Sequence, residues 1–474
     1  MENICFGGIA EMVDRVRAKK ISPVEIVEAH LKRIESLQPR MNAFVHVDEE
    51  GARRAAKASE ASVMRGDALG RLHGVPVSIK SCIDVAGWRC PAGSRLRADY
   101  VAQGDAVLVA RLKAAGAILI GNTNTPEFLM AYETDNALSG KTSNPWNISY
   151  SAGGSSGGEA AAIAAGCSMG GVGSDGGGSV RVPAHFCGIS ALKPTPGRIP
   201  STGHFPRGAG AFAWLGVVGP MARTAADVRT LFEVMKGPDA DDALSSPVDG
   251  WKFREGDLDG LRVGILESDA LGTATAETNA AAQRAGVLLV ERGFRVEPLR
   301  ISGLERAIEL WWFFFGPMIA HLFGGMVAGR EEELSPMFRE YLSVARTQQQ
   351  IPHPPKARVW NDTIGVEERV IPATLDEFMS ACVERDTVRA KIIHQMRDVP
   401  ILLSPVCTAP AFRHGEGNWR PGSGYRETMR HSQWLNLAGF PGATVPMGFS
   451  AEGLPIGVQV IGRPHEDELV LAAA

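Results

Sequence analysis

The sequence predicts an α/β fold in which helices cover both faces of a central β-sheet. Helical and apolar stretches alternate along the chain, as where residues 105–115 are followed by the short apolar run at residues 117–120. Other apolar runs, at residues 74–80, 261–266 and 401–403, have the length and composition of buried strands. The composition, 45% hydrophobic and 22% charged, is ordinary for a soluble globular protein.

Charge and cysteine content exclude several classes of protein. The chain has 49 Lys and Arg against 53 Asp and Glu, so its net charge of -4 favours neither nucleic acid nor an anionic membrane as a partner. Its seven cysteines, an odd number without a Cys-x-x-Cys pair, indicate reduced thiols. The first residues do not begin a signal peptide. We therefore expect a cytoplasmic protein.

The first two predicted helices lie at residues 22–38 and 49–64. Ser22-Pro-Val-Glu25 is a capping box with proline at the first helical position, and Pro39 is expected to end the helix. The second helix is more polar. We expect both helices to cover the core without contributing chemistry.

The predicted strand at residues 74–80, Gly-Val-Pro-Val-Ser-Ile-Lys, is apolar until its last residues. It places Lys80 at the end of a buried strand. A lysine at a strand end usually extends its ammonium group to the surface, so the position alone does not assign a function.

The glycine-rich stretch at residues 151–181 is the part of the sequence most indicative of chemistry. It holds two glycine-flanked serines, Ser155 and Ser179, and a helix of small residues at 159–166 that would bring both loops together. The N–H groups of Gly176, Gly177, Gly178 and Ser179 can point into one concavity, as in an oxyanion hole or a phosphate cradle.

Three interpretations of this stretch compete. Glycine and serine are common in purely structural loops. A phosphate loop is disfavoured because no Gly-Lys-Ser/Thr follows the glycines and no clear strand precedes Ser151. The third interpretation is a nucleophile elbow, since residues 153–157 match Gly-x-Ser-x-Gly around Ser155.

The motif Gly-Gly-Ser-Ser-Gly-Gly at residues 153–158, with Ser179 in Asp-Gly-Gly-Gly-Ser-Val-Arg-Val-Pro-Ala 24 residues after Ser155, resembles the defining block of the amidase signature family. The resemblance extends from about residue 22 to the C-terminus. It implies a Ser–cis-Ser–Lys triad, with Ser179 as the nucleophile and Ser155 following a cis peptide bond. Lys80 lies in the family's Gly-Val-Pro-Val-x-x-Lys segment. Many members carry an acidic residue directly after this lysine, where this chain has Ser81.

The resemblance also implies a mechanism. Ser179 would attack a carbonyl while Ser155 relays its proton to Lys80, whose amine must be neutral and therefore buried to lower its pKa from ~10.4. The N–H groups of Gly176, Gly177 and Gly178 would stabilise the oxyanion. No metal or organic cofactor is required. Leu129, Met130 and Ala131 are expected to line the substrate pocket, although core packing explains them equally well.

Two neighbouring groups are expected to support the glycine loop. Asp175 and Arg181 flank Ser179 closely enough to form an ion pair that would hold the loop rigid. His185 is the histidine nearest to Ser179 in sequence. It lies in no motif that would make it the base, and we expect it to pack behind the loop.

The length is compatible with roughly three domains or with one large α/β domain. The resemblance favours one domain over residues 1–474, with a mixed sheet, a catalytic core at residues 71–235 and a variable, mainly helical pocket region at residues 300–375. The apolar run at residues 311–323 is shorter than the ~20 residues that span a bilayer. We interpret it as the wall of a substrate tunnel; buried core and a membrane-surface patch are the alternatives.

Family members hydrolyse amides, carbamates and esters, and one subunit of tRNA-dependent transamidases releases ammonia from glutamine. The apolar run favours an apolar or aryl substrate, and the transamidase-type subunit is the alternative function. A small-molecule amide, carbamate or ester is the expected partner, without nucleic acid or membrane, for a monomer or homodimer. Because the last residues read as an unfinished helix, we expect the native chain to continue past Ala474.

Overall fold

The computed structural model describes residues 2–245, 247–248, 256–347, 374–419 and 425–474. Eleven strands in these residues form a single sheet. They are β1 (Phe44–Val47), β2 (Pro76–Lys80), β3 (Ile118–Thr123), β4 (Gly170–Asp175), β5 (Ser190–Lys193), β6 (Val217–Ala222), β7 (Arg262–Glu267), β8 (Arg295–Arg300), β9 (Ile401–Pro405), β10 (Gly442–Phe449) and β11 (Pro455–Gly462).

The sheet is mixed, as expected, with strand order β1-β3-β2-β4-β6-β5-β10-β11-β9-β7-β8. Strand β2 is parallel to both neighbours, β3 and β4, and β7 is parallel to β8 and β9. The other pairs are antiparallel. Every residue of β2, β3 and β4 is buried. Apolar runs predict β2 and β3, whereas β4 lies in the glycine-rich stretch, for which the sequence predicts no strand.

Helices flank this sheet. In chain order they are α1 (Glu2–Cys5), α2 (Ile9–Arg17), α3 (Pro23–Met41), α4 (Glu49–Arg65), α5 (Val107–Ala114), α6 (Gly157–Ala164), α7 (Arg181–Cys187), α8 (Phe212–Leu215), α9 (Ala225–Met235), α10 (Ala276–Glu291), α11 (Leu304–Phe313), α12 (Ile319–Val327), α13 (Pro336–Thr347), α14 (Leu375–Gln395), α15 (Tyr425–Thr428), α16 (Arg430–Ala438) and α17 (Asp467–Ala473). The prediction of one α/β fold is confirmed.

Helix α3 begins as predicted but ends later. The Ser22 N–H donates to the Glu25 carboxylate at 2.8 Å, which completes the capping box. The expectation that Pro39 ends the helix is wrong, because the helix continues to Met41. In the last turn a proline costs one hydrogen bond, and the bond that closes the helix, from the Asn42 N–H to the Gln38 carbonyl at 2.8 Å, is still made.

The apolar run of the sequence lies in one continuous helical stretch. Helix α11 is joined to α12 by a π-helical turn, Phe314–Met318. Among the described helices, only Leu304–Val327 is long and apolar enough to cross a membrane, and 67% of its most apolar part is buried inside the protein. A buried core helix has the same composition, so this stretch is no evidence for a membrane span. Residues 348–356, where Pro352, Pro354 and Pro355 predict an ordered surface loop, lie outside the described residues.

The centre of the sheet brings the two serine loops to one place. Lys80 ends β2 and Asp175 ends β4, and because these strands are parallel neighbours their carboxyl ends lie at the same edge of the sheet. Helix α6 starts directly after Ser156 and packs against β2, β3 and β4. Its buried side chains include Ala160, Ala161 and Ala162, whose small size permits this close approach.

Candidate active site

Lys80 is the centre of a buried cluster of hydroxyl groups. Its Nζ atom donates to the Oγ atoms of Ser155 at 2.6 Å, Ser156 at 2.9 Å and Ser174 at 3.1 Å. The lysine has no exposed surface. All three donor positions of an ammonium group therefore have a partner.

Burial also changes the acid–base chemistry of this lysine. Removal from water disfavours the charged form and lowers the pKa of Lys80 to about 8, against the opposing influence of the carboxylates of Asp175 and Glu159. Roughly a tenth of these side chains are then neutral amines at pH 7, and about half are neutral near pH 8. Such an amine can accept a proton from a neighbouring hydroxyl.

Ser155 and Ser179 come together as the spacing predicts. The peptide bond between Gly154 and Ser155 is cis. The Ser156 N–H donates to the Ser179 carbonyl at 3.1 Å, which joins the two loops. The side chains of Ser155, Ser174 and Ser179 line the same cavity.

Side chains from elsewhere in the fold donate hydrogen bonds to the backbone carbonyl groups of the glycine loop that follows β4. Trp311 Nε1 donates to the Gly176 carbonyl at 2.8 Å, and the Tyr132 hydroxyl donates to the Gly177 carbonyl at 2.9 Å. Within the described part of the chain, the N–H groups of Gly176, Gly177 and Ser179 have no protein acceptor. These three donors remain available to an oxyanion.

Gly178 differs from the expectation. Its N–H donates to Asp175 Oδ1 at 2.7 Å, so it is not available to a substrate. The backbone at Gly178 adopts φ +126°, a conformation that favours glycine. Of the four N–H donors that the sequence suggests, Gly178 is therefore lost, and Gly176, Gly177 and Ser179 remain.

Asp175 and Arg181 form the predicted ion pair. The guanidinium contacts both carboxylate oxygens at 3.0 Å, and neither side chain is exposed. Burial alone would raise the pKa of Asp175, but the charge and hydrogen bonds of Arg181 outweigh it and hold the pKa well below its usual range. Arg181 also donates to the side chains of Gln459 and Asn436. The pair fixes the turn that carries Ser179.

His185 packs behind the loop. It is fully buried, and its Nδ1 atom accepts from the Gly457 N–H at 2.7 Å while Nε2 lies 3.1 Å from the Ala409 carbonyl. Burial lowers the pKa of His185 to about 4. The prediction that it is a packing residue is confirmed.

The cavity beside the serines has apolar walls. Leu129 and Met130 line it, as expected, together with Phe212, Val217, Val218 and Phe315. Ala131 does not line it. The Ala131 carbonyl instead faces the backbone at Gly154, where an added Cβ would lie 2.6 Å from the oxygen. This residue positions the Ser155 loop rather than the substrate.

The apolar run contributes to this wall through Phe315 and, one layer behind, Trp311. Their rings stack with centroids 4.6 Å apart, and Phe315 faces the cavity. Phe314 and Phe323 pack elsewhere, against Trp214 and Phe128 respectively. Of the apolar run, only the face that carries Phe315 and Trp311 therefore forms the predicted pocket wall.

A second, wider cavity of about 900 Å³ adjoins the first, and Ser201, His204 and Gly208 line both. Trp214 and Phe378 supply its aromatic walls.

The sequence analysis did not predict this chamber, and it did not predict that Ser156 and Ser174 contact Lys80. The serine pair Ser155-Ser156 was visible in the motif, whereas nothing in the sequence around Ser174 indicates a contact with Lys80.

The described residues contain no group of three or more His, Cys, Asp or Glu side chains arranged to hold a metal ion. The chemistry of the site is that of hydroxyl groups, an amine and backbone N–H donors. This set can transfer an acyl group through a serine.

Comparison with known proteins agrees with this chemistry. The chain is 33% identical over 477 residues to a glutamyl-tRNA(Gln) amidotransferase subunit from Geotalea daltonii, covering 98% of this chain and 95% of that protein. A 6-aminohexanoate cyclic dimer hydrolase matches 99% of this chain and 96% of its own with 27% identity and a TM-score of 0.82. A bacterial aryl acylamidase matches 98% and 94% with 25% identity and a TM-score of 0.82.

A family model described as Amidase matches residues 25–471. That match covers the lysine strand, both serine loops and the variable helical region. The resemblance read from the serine motif is confirmed: this chain belongs to the amidase family, the amidase signature enzymes.

Proposed function

We propose that this protein hydrolyses apolar or aryl amides through an acyl-enzyme on Ser179. The observation that carries the proposal is the 2.6 Å hydrogen bond between Lys80 and Ser155, buried at the base of a cavity that Ser179 also lines. It provides a base, a relay and a nucleophile at the end of an apolar pocket.

The proposed reaction begins with the neutral amine of Lys80. Ser179 Oγ attacks the substrate carbonyl and gives its proton to Ser155, which passes its own proton to Lys80. The N–H groups of Gly176, Gly177 and Ser179 stabilise the oxyanion.

As the C–N bond breaks, the proton returns from Lys80 through Ser155 to the leaving amine. Water then hydrolyses the acyl-enzyme by the same route, which regenerates Ser179 and releases the acid. A carbamate or an ester presents a comparable carbonyl group, so we include both among the proposed substrates.

The lining of the cavity supports an apolar substrate. The described residues that line the cavity beside the serines include neither arginine nor lysine, whereas a free amino acid such as glutamine would need a cation for its carboxylate. In the adjoining chamber Arg207 is accompanied by the carboxylates of Asp241 and Asp242. The adjoining chamber, with Trp214 and Phe378 in its walls, has room for the part of a substrate beyond the scissile bond. Aromatic walls of this kind suit an aryl group.

The alternative is an amidotransferase-type protein that releases ammonia from an amide donor. Several relatives at 32–36% identity are subunits of glutamyl-tRNA(Gln) amidotransferases, and this similarity favours the amidotransferase alternative. Such a protein would act with partner subunits, whereas we propose a hydrolase that works as a monomer or homodimer.

Two measurements test the proposal. A fluorophosphonate probe should label Ser179, mapped by peptide mass spectrometry, and Ser179→Ala should abolish labelling and turnover while changing the melting temperature little. A label on Ser155 would favour the nucleophile-elbow interpretation instead.

The second measurement compares substrates. The purified chain should release an arylamine from an acyl anilide faster than it releases ammonia from L-glutamine. Glutamine turnover that exceeds anilide turnover, or that appears only after a partner protein is added, would support the amidotransferase alternative and overturn the aryl-amide assignment.

A further inference from the structure

A second buried ionisable group, the carboxyl group of Glu159, lies close to Lys80, the proposed base. Glu159 is the third residue of α6, the helix that begins after Ser156, and its side chain has no exposed surface. Residues three apart in a helix share a face. Because Ser156 Oγ accepts a hydrogen bond from Lys80, the carboxyl group of Glu159 is brought toward the same lysine.

The strands that carry the lysine also bind this carboxyl group. The hydroxyl groups of Ser78 and Thr123 donate to its two oxygens, the latter at 2.7 Å. Ser78 precedes Lys80 by two residues on β2 and so points to the same face of the sheet. Thr123 pairs with Lys80 in the register of β2 and β3. The carboxyl group therefore lies on the face of the sheet from which Lys80 reaches the serines.

The neighbouring strand leaves space for it. At Gly171, on β4, an added Cβ would lie only 1.9 Å from Glu159 Oε1. Glycine is thus required at this point so that the carboxyl group can approach the backbone of the sheet.

Four titratable groups lie around Lys80, and three of them keep one charge state. Asp175 is held ionised by Arg181. Burial raises the pKa of the Cys82 thiol and lowers the pKa of His204 to about 4, so both stay neutral near neutral pH. Glu159 is different, because burial raises its pKa to about 7 against the hydrogen bonds from Ser78 and Thr123 and the charge of Lys80.

We propose that Glu159 is a positioning residue that controls the protonation of Lys80 through its negative charge. This proposal rests on the proposed function, in which Lys80 is the base. An ionised carboxylate beneath the lysine favours its ammonium form. It therefore raises the pH at which the amine becomes available, and it stabilises the ammonium that forms when Ser155 delivers a proton.

Glu159→Gln tests both consequences, because glutamine keeps the volume and can still hydrogen-bond to Ser78 and Thr123. We expect the acid limb of kcat/KM on an acyl anilide to move to lower pH by about one unit. We expect the high-pH plateau to fall several-fold, because a lysine without the carboxylate is a weaker base. A merely structural loss would lower the rate at every pH without moving the limb.

Glu127→Gln is the matched control. Glu127 is also a buried carboxyl group, bound by the Ser94 hydroxyl at 2.7 Å and the Ser335 N–H at 2.6 Å, but it shares no hydrogen-bond partner with Lys80. Its substitution should leave the position of the acid limb unchanged. Glu159→Asp, which keeps the charge, should leave the limb closer to the wild-type position than Glu159→Gln does.

The possible outcomes distinguish a failure of this inference from a failure of the proposed function on which it rests. If Lys80→Ala leaves the wild-type pH profile unaltered, the proposed function fails and the role of Glu159 fails with it. If the profile depends on Lys80 but the folded Glu159→Gln enzyme keeps the wild-type limb, only the inference is overturned.

Should Glu159→Gln not fold, Thr123→Val provides the same test, because it removes one donor that stabilises the carboxylate. Its acid limb should move in the same direction by a smaller amount. An unmoved limb in a folded Thr123→Val enzyme would overturn the inference.

Discussion

The indole ring of Trp311 packs directly against Gly177. An added Cβ at residue 177 would lie 2.4 Å from Trp311 Cζ2 and 3.0 Å from the Tyr132 hydroxyl. The same indole donates a hydrogen bond to the Gly176 carbonyl. Trp311 therefore both packs against the glycine loop and fixes it by a hydrogen bond. The helix that forms the pocket wall thus sets the position of the proposed oxyanion donors.

This contact predicts different outcomes at adjacent glycines. Gly177→Ala should lower kcat/KM at least tenfold, because the loop or the rigid indole must move to admit the methyl group. Gly176→Ala should stay within about threefold of wild type, since its nearest neighbour, Phe315, is at an ordinary 3.4 Å.

Steady-state kinetics and thermal melts of both variants provide the check. Equal losses of activity at the two positions would show that the Trp311 contact does not fix the loop.

The buried ion pair of Asp175 and Arg181 predicts a large effect on stability. Arg181→Met leaves a carboxylate buried without its partner, which typically costs about 3–5 kcal/mol. Urea unfolding should show this loss, and activity should fall with it because Gly178 and Arg181 share the oxygens of Asp175.

Arg330 provides the control, since its ion pair with Glu333 at 2.7 Å lies at the surface, with side chains 46% and 36% exposed. Arg330→Met should leave the unfolding midpoint nearly unchanged, because exposed ion pairs contribute little. A comparable loss in both variants would contradict the structural importance of the buried pair.

The face that Phe315 turns to the cavity predicts a change in specificity. Phe315→Ala should raise KM for an anilide several-fold and leave KM for a short aliphatic amide nearly unchanged, because only the larger group reaches the ring.

Leu322→Ala, in the same apolar segment but exposed, should change neither constant. A change in kcat alone, equal for both substrates, would indicate that Phe315 supports the loop rather than the substrate.

Much of this architecture could be predicted because the responsible signals are local in sequence. The Ser22 capping box, the apolar strand before Lys80 and the small residues of α6 each determine their own segment. The two serines of the proposed triad were selected by a motif with fixed spacing and the lysine by a separate segment that resembles the family, and the structure places these residues together. The ion pair of Asp175 and Arg181 followed from their closeness to Ser179.

The failures concern properties that depend on distant parts of the chain. Whether the Gly178 N–H faces a substrate depends on the position of the Asp175 carboxylate, which accepts its hydrogen bond. Ala131 faces Gly154 because of how two loops pack. Ser174 reaches Lys80 only because β4 lies beside β2. The wide second chamber is formed by segments that are far apart in sequence, so no single stretch indicates it.

The pKa of Lys80 predicts the acid limb of the pH profile. Only the neutral amine can accept the proton that Ser155 relays, and burial lowers the pKa of Lys80 to about 8. Activity on an anilide should therefore rise with pH and level off above about pH 8, with a tenfold loss for each unit well below that value.

Substitutions at this lysine separate the base from other effects. Lys80→Ala should reduce anilide hydrolysis far more than hydrolysis of an activated phenyl ester, because an amine leaving group needs a proton and a stabilised phenolate does not. Lys80→Arg should not restore activity, since a guanidinium does not release its proton near neutral pH. If Lys80→Ala kept near-normal anilide turnover with an unchanged pH profile, Lys80 would not be the base and another proton acceptor would have to serve Ser179.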